Sequence, residues 1–185
     1  MRKKILRLAI CLPVIAIACV NSLRAQAVSS EDLKAQMVKE WQRAKAYTNE
    51  YLNTMPPDKY NFKPVDSIRS FAMQMLHLAQ GNEFLMSNAA TQPPAPWLRR
   101  DLEHTASAQS KDSVTYFVNA SYDYCIDAVK SSDVSKWGEK KKVMNYEETR
   151  LALMMKTFEH QTHHRGQTTI YIRLEGIRPP QEKLF

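Results

Sequence analysis

Apolar residues recur every third or fourth position in four stretches of this 185-residue chain, with proline-rich or polar segments between them. That period lines up side chains on one face of an α-helix. In the first stretch Leu33, Met37, Trp41, Ala44, Tyr47 (or Thr48) and Tyr51 repeat behind Ser29, Ser30, Glu31 and Asp32, which suit an N-cap and an acidic first turn. Met55-Pro56-Pro57 ends it. The connection YNFKPVDSIRS follows, with Asp66 or Ser67 as the expected cap of a second helix carrying Ile68, Phe71, Met75, Leu78 and Leu85. A long connection spans residues 89–108, with a short helix expected around Trp97–Leu102. The third helix runs from near Lys111 to Lys130 with Val114, Phe117, Val118, Tyr122, Cys125 and Val129 inside, and residues 132–145 read as polar linker. The fourth is expected from Tyr146 to Leu174, stopped by Gly176 and Pro179-Pro180.

Four amphipathic helices predict an all-α four-helix bundle with a long connection between helices 2 and 3. The linkers at 89–108 and 132–145 allow either a crossover or a simple up-down order. Only four glycines occur in the whole chain, which favours helices over a turn-rich sheet. A stripe of Met and Tyr at helical spacing reads first as core; an exposed part of it would serve a homodimer.

The N-terminus changes the charge picture. MRKK, an apolar run of about 16 residues and Ala25-Gln26-Ala27 have the three-part build of a secretory signal peptide cut after residue 27. Acylation at Cys19 ranks second and a retained anchor third. The resulting division is a signal peptide at 1–27, a single domain at 28–185, and a periplasmic or secreted location without a membrane anchor. The leader holds five basic residues and no acidic one, so 26 basic against 19 acidic residues become 21 against 19 and the net charge falls from +7 to +2. A near-neutral domain offers no electrostatic footprint for nucleic acid. Of three cysteines only Cys125 remains, so no internal disulfide forms, and Cys125 reads as a small buried side chain.

Candidate chemistry concentrates in EHQTHHRGQ, residues 159–167. His160 and His164, four apart on a helix, share a face and suit one cation; His163 is turned about 100° away from His164. A third ligand must come from elsewhere. His77, inside the second helix, needs a partner if buried, and Gly81, one turn on, leaves room beside it. Three histidines with one open position make the arrangement of a catalytic metal site. The bland alternatives are a surface pair and a satisfied core histidine. His104 reads as solvated. His160 to His164 occupies the frame of the metalloprotease motif H-E-x-x-H, but Gln161 replaces the glutamate and cannot act as general base. Gly166 in mid-helix costs about 1 kcal/mol relative to Ala and calls for a compensation such as close helix approach. Arg165 reads as structural or as a surface ion pair. Gln167 and Tyr171, on the histidine face, are candidate pocket residues, and no carboxylate base is evident beside the ligands.

H-x-x-x-H-R-G-Q at His160–Gln167, with a helix-2 histidine about eighty residues upstream, resembles the DinB-like superfamily over residues 30 to 178. The resemblance implies a four-helix bundle and a divalent transition metal, zinc or nickel, on His77, His160 and His164 with water completing the shell. It further implies a hydrolase or a thiol S-transferase acting on a small molecule, because a Lewis-acid metal makes a nucleophile of water or thiol near neutral pH. A secretion signal departs from the usual member and weighs against the transferase branch, since reduced thiols are scarce outside the cytoplasm. A non-catalytic metal- or ligand-binding bundle is the alternative.

Overall fold

The computed structural model describes residues 28–90 and 92–185; the expected signal peptide lies outside them. Four long helices form: α1 (Ser30–Thr54), α2 (Phe71–Ala89), α3 (Lys111–Ser131) and α4 (Arg150–Leu174). Each starts at a hydroxyl N-cap. Ser29, Ser70, Ser110 and Thr149 accept hydrogen bonds from the backbone N–H of Asp32, Met73, Ser113 and Ala152, satisfying donors that the first turn leaves free. The cap of α2 is thus Ser70 rather than Asp66 or Ser67. Ile68 falls outside the helix and is exposed. The expected short helix near Trp97 is a single 3-10 turn, Pro96–Arg99. At the other end of the chain α4 stops as expected, with Gly176 at φ +74°, a left-handed position that glycine fills without strain.

The start of α4 differs from expectation. Tyr146–Thr149 is a β-strand, β2, paired antiparallel with β1 (Lys140–Val143), so part of the expected polar linker is a hairpin. Lys141 faces Glu148 and Lys142 faces Glu147 across it, opposite-charge pairs that favour the register. The hairpin delivers the chain to Thr149, and Arg150 locks the junction. Its Nε pairs with Glu139 at 2.9 Å, and Nη1 donates to the Ala89 carbonyl at the end of α2, also at 2.9 Å.

Helix α2 packs on α3 and α4, and α1 packs on the same two. Sequential helices α1 and α2 therefore stand across the bundle, as do α3 and α4, while the long connection between α2 and α3 joins neighbours. The crossovers are made by residues 55–70 and by the hairpin segment. Trp41, Leu52, Phe71, Met75, Leu76, Met86, Tyr122 and Met154 fill the centre. Trp41 meets Tyr122 and Phe158 edge-on, at 5.7 and 5.3 Å between ring centroids. Cys125 is buried, as expected, and burial pushes its thiol pKa up. None of the described helices is long and apolar enough to cross a membrane.

Candidate metal centre

Helices α2 and α4 run antiparallel in a register marked at four levels. Arg150 reaches Ala89, His160 lies over Gly81, Gln74 meets His164 and Gln167, and the Tyr171 hydroxyl donates to the Arg69 carbonyl at 2.9 Å. This register brings His77 against the His160/His164 pair. Ring centroids are 4.5 Å apart for His77–His164, 5.4 Å for His77–His160 and 4.4 Å for His160–His164. One nitrogen from each ring lies within 4.8 Å of the others, so the three form a group able to hold a metal ion. His163 touches the edge of His164 but is exposed, and His104 is exposed on Asp101; neither joins the group.

Gly81 is what admits His160. A Cβ there would overlap the imidazole, lying 2.6 Å from both ring nitrogens. Glycine supplies the close approach at this crossing. Gly166 does not behave this way: a Cβ on it would meet open space, so the expected compensation is absent and nothing in the structure explains that glycine.

The three imidazoles are held differently. His77 Nδ1 is 2.6 Å from Glu103 Oε1, a carboxylate from the connection between α2 and α3. The sequence showed no carboxylate base beside the ligands; Glu103 stands there with both oxygens engaged. Glu103 also takes Arg69 Nε on its other oxygen at 2.6 Å. Burial works against its charge, but the hydrogen bonds from His77 and Arg69 prevail and bring its pKa down to about 2. His164 Nδ1 lies 2.8 Å from the Gln74 side-chain amide, which also bonds Gln167. Burial, then the neighbouring His160 and His77, lowers the His164 pKa to about 3; burial, then His77 and His163, lowers that of His160 to about 4. Both are therefore neutral near pH 7, the form that ligates a cation. His160 Nδ1 is buried with no hydrogen-bond partner among the described residues.

An open cleft of about 810 Å³ adjoins the group, with Gln74, Glu103, His164, Gln167 and Tyr171 in its walls. Gln167 is exposed in that wall, whereas Tyr171 is buried and its hydroxyl is spent on Arg69. Glu103, Gln74 and Arg69 escaped the sequence reading. Gln74 carried a signal, being three residues before His77 and so on the same helical face; the other two lie in irregular segments without periodicity.

The other half of the motif faces away. Arg165 is buried rather than on the surface. Among the described residues no carboxylate pairs with it. Its Nη1 donates to Gln161 Oε1 at 3.0 Å and its guanidinium stacks over Tyr47 at 4.6 Å.

The DinB family model matches residues 26–184. The chain belongs to the DinB family. Solved structures agree on the fold. A DinB-like protein of Bacillus cereus superposes with a TM-score of 0.69 at 14% identity, covering 79% of this chain and 95% of that one. A DinB-like protein of Bacillus subtilis gives 0.61 at 18% identity, covering 81% and 96%. A conserved protein of Enterococcus faecalis gives 0.61 at 16% identity, covering 76% and 95%. No curated protein matches. In this DinB-family chain the helical bundle and the three-histidine group are thus in place together.

Proposed function

We propose that this DinB-family chain is an exported metal-dependent hydrolase or transferase for a small molecule, with zinc or nickel held by His77, His160 and His164. The observation that carries the reading is the convergence of three imidazoles, one nitrogen each within 4.8 Å, beside an open cleft. The donor set fits a borderline transition cation. The unpartnered, buried Nδ1 of His160 is a second point of fit, because a buried polar atom without a partner is costly in a protein that has no use for it. When bound, such a cation supplies Lewis acidity that makes water or thiol a nucleophile near neutral pH.

The chain's own residues prepare that site. Glu103 holds His77 through Nδ1 and turns Nε2 inward, the carboxylate–histidine arrangement that fixes tautomer and raises ligand basicity. The Gln74 amide nitrogen lies 2.8 Å from His164 Nδ1 and holds that ring from the α2 side. The same Gln74 nitrogen also donates to Gln167 Oε1. Export rests on the basic, apolar and small-residue pattern of residues 1–27.

Elemental analysis of residues 28–185, purified without a metal-binding tag, tests the reading. About one transition metal per chain is expected, as for three protein donors with one position left open. The folded His160→Ala/His164→Ala variant should lose it, and His77→Ala should lose most of it. Absence of metal from the wild-type chain after reconstitution removes the mechanism.

A further inference from the structure

Resting on the metal reading above, we infer that Arg69 is the docking point for a carboxylate on the small molecule that enters the cleft. Arg69 is held from two sides. Its carbonyl accepts from Tyr171 of α4 at 2.9 Å, and its Nε donates to Glu103 Oε2 at 2.6 Å. Both anchors spare the end of the guanidinium. Among the described residues its two terminal nitrogens have no hydrogen-bond partner, and the side chain lines the cleft beside His164. A planar fork of N–H donors, already oriented and still unengaged, matches the two oxygens of a carboxylate.

Charge in the cleft points the same way. Its carboxylates are Glu103 and Asp66, and its fixed cations are Arg69 and Lys63. Glu103 is consumed by His77 and Arg69, while Lys63 is exposed without an ion pair among the described residues. A divalent cation on the histidines tips this balanced wall to positive. Because Glu103 bridges Arg69 to His77, the fork stands one carboxylate away from a ligand imidazole. A substrate carrying its carboxylate a few atoms from its reacting centre would engage both.

The test uses the cobalt(II)-loaded protein and two thiols of equal length, 3-mercaptopropionate and 3-mercaptopropan-1-ol. The sulfur-to-cobalt charge-transfer band reports binding of each. Wild type should prefer the carboxylate thiol about tenfold, the scale of a charge-assisted pair of hydrogen bonds. Arg69→Gln should bring the ratio near one, and Arg69→Lys, which keeps the charge without the fork, should fall between. The ratio is taken within each variant, so a general weakening of the metal site through Glu103 cancels. If cobalt binds yet the two thiols bind equally or not at all, the inference is overturned and the metal reading stands. A preference that survives in Arg69→Gln also overturns it, because the carboxylate is then chelating the metal. Failure of the wild type to bind cobalt removes the metal reading and the inference together.

Discussion

On one side of α4, His160 and His164 meet His77 with a buried nitrogen left without a partner; on the other, Gln161 and Arg165, each one residue further on, sit in a cluster whose polar groups are matched. Gln161 Oε1 accepts from the Tyr122 hydroxyl at 2.7 Å and from Arg165, and Thr48 shares the Tyr122 hydroxyl at 2.7 Å. Burial holds the Tyr122 and Tyr47 pKa values up at about 12, so these phenols stay neutral and the single cation is solvated by dipoles and a ring face. Four residues within the six-residue span 160–165 thus divide into a face that holds the helix in the bundle and a face that leaves capacity for a ligand. A short motif read as one functional unit contains two jobs, and the 100° step between neighbours keeps them apart.

The division is sharpened first by Arg165→Met. Losing hydrogen bonds to a buried charged group should cost roughly 2–3 kcal/mol in urea unfolding, with metal content per folded chain unchanged. A variant that kept its stability and lost its metal would break the division. On the ligand face, Glu103→Ala should weaken metal binding about 10–100-fold in chelator competition, the loss expected when an orienting partner is removed, and should lower stability as well, since its bonds to Arg69 and His77 go with it. Arg69 and His77 would then both lack their shared acceptor.

Acid separates the faces as well. His160 and His164 have folded pKa values of about 4 and about 3, below the ordinary 6.5, so the unfolded chain binds their protons first. Their contribution to the stability of the metal-free protein is complete above pH 6.5 and is lost as pH falls through 4 to 3. Glu103, at about 2 against 4.5, extends the loss below pH 4.5. Urea midpoints between pH 7 and 4 should decline in the wild type and decline less in His160→Ala/His164→Ala. The smallest effects come from the glycines. Gly166→Ala should stabilise by about 0.5–1 kcal/mol with metal binding intact, since only helix propensity changes. Gly81→Ala should gain nothing and should weaken metal binding, because the new methyl overlaps His160.

Much of the fold was legible because four apolar stripes keep the helical period, and all four helices end within a few residues of expectation. The hairpin was hidden. Its strands KKKV and YEET lack clean alternation, and its turn places Met144 at φ 54°, where glycine or asparagine would have been the signal. The histidine triad was half legible. Spacing paired His160 with His164, and a bundle made His77 a candidate third, but only the family resemblance singled it out, because no local rule links residues on different helices. Gly81 was read as room beside His77, and the ring that fills it is His160; the close approach expected at Gly166 is absent. Glu103 was out of reach: it is 26 residues from His77 in a segment without period, and only the folded path of the connection joins them.

That path has a consequence for how such a site can change over generations. The three imidazoles sit on helices locked in register, where a substitution disturbs the whole bundle. The carboxylate that steers one of them, and through it Arg69, belongs to a connecting segment between neighbouring helices. On the proposed metal reading, insertions and exchanges there would retune the basicity of His77 while the scaffold and the histidines stay untouched. The molecule separates what must be preserved from what can be adjusted, and places the adjustable part in the loop.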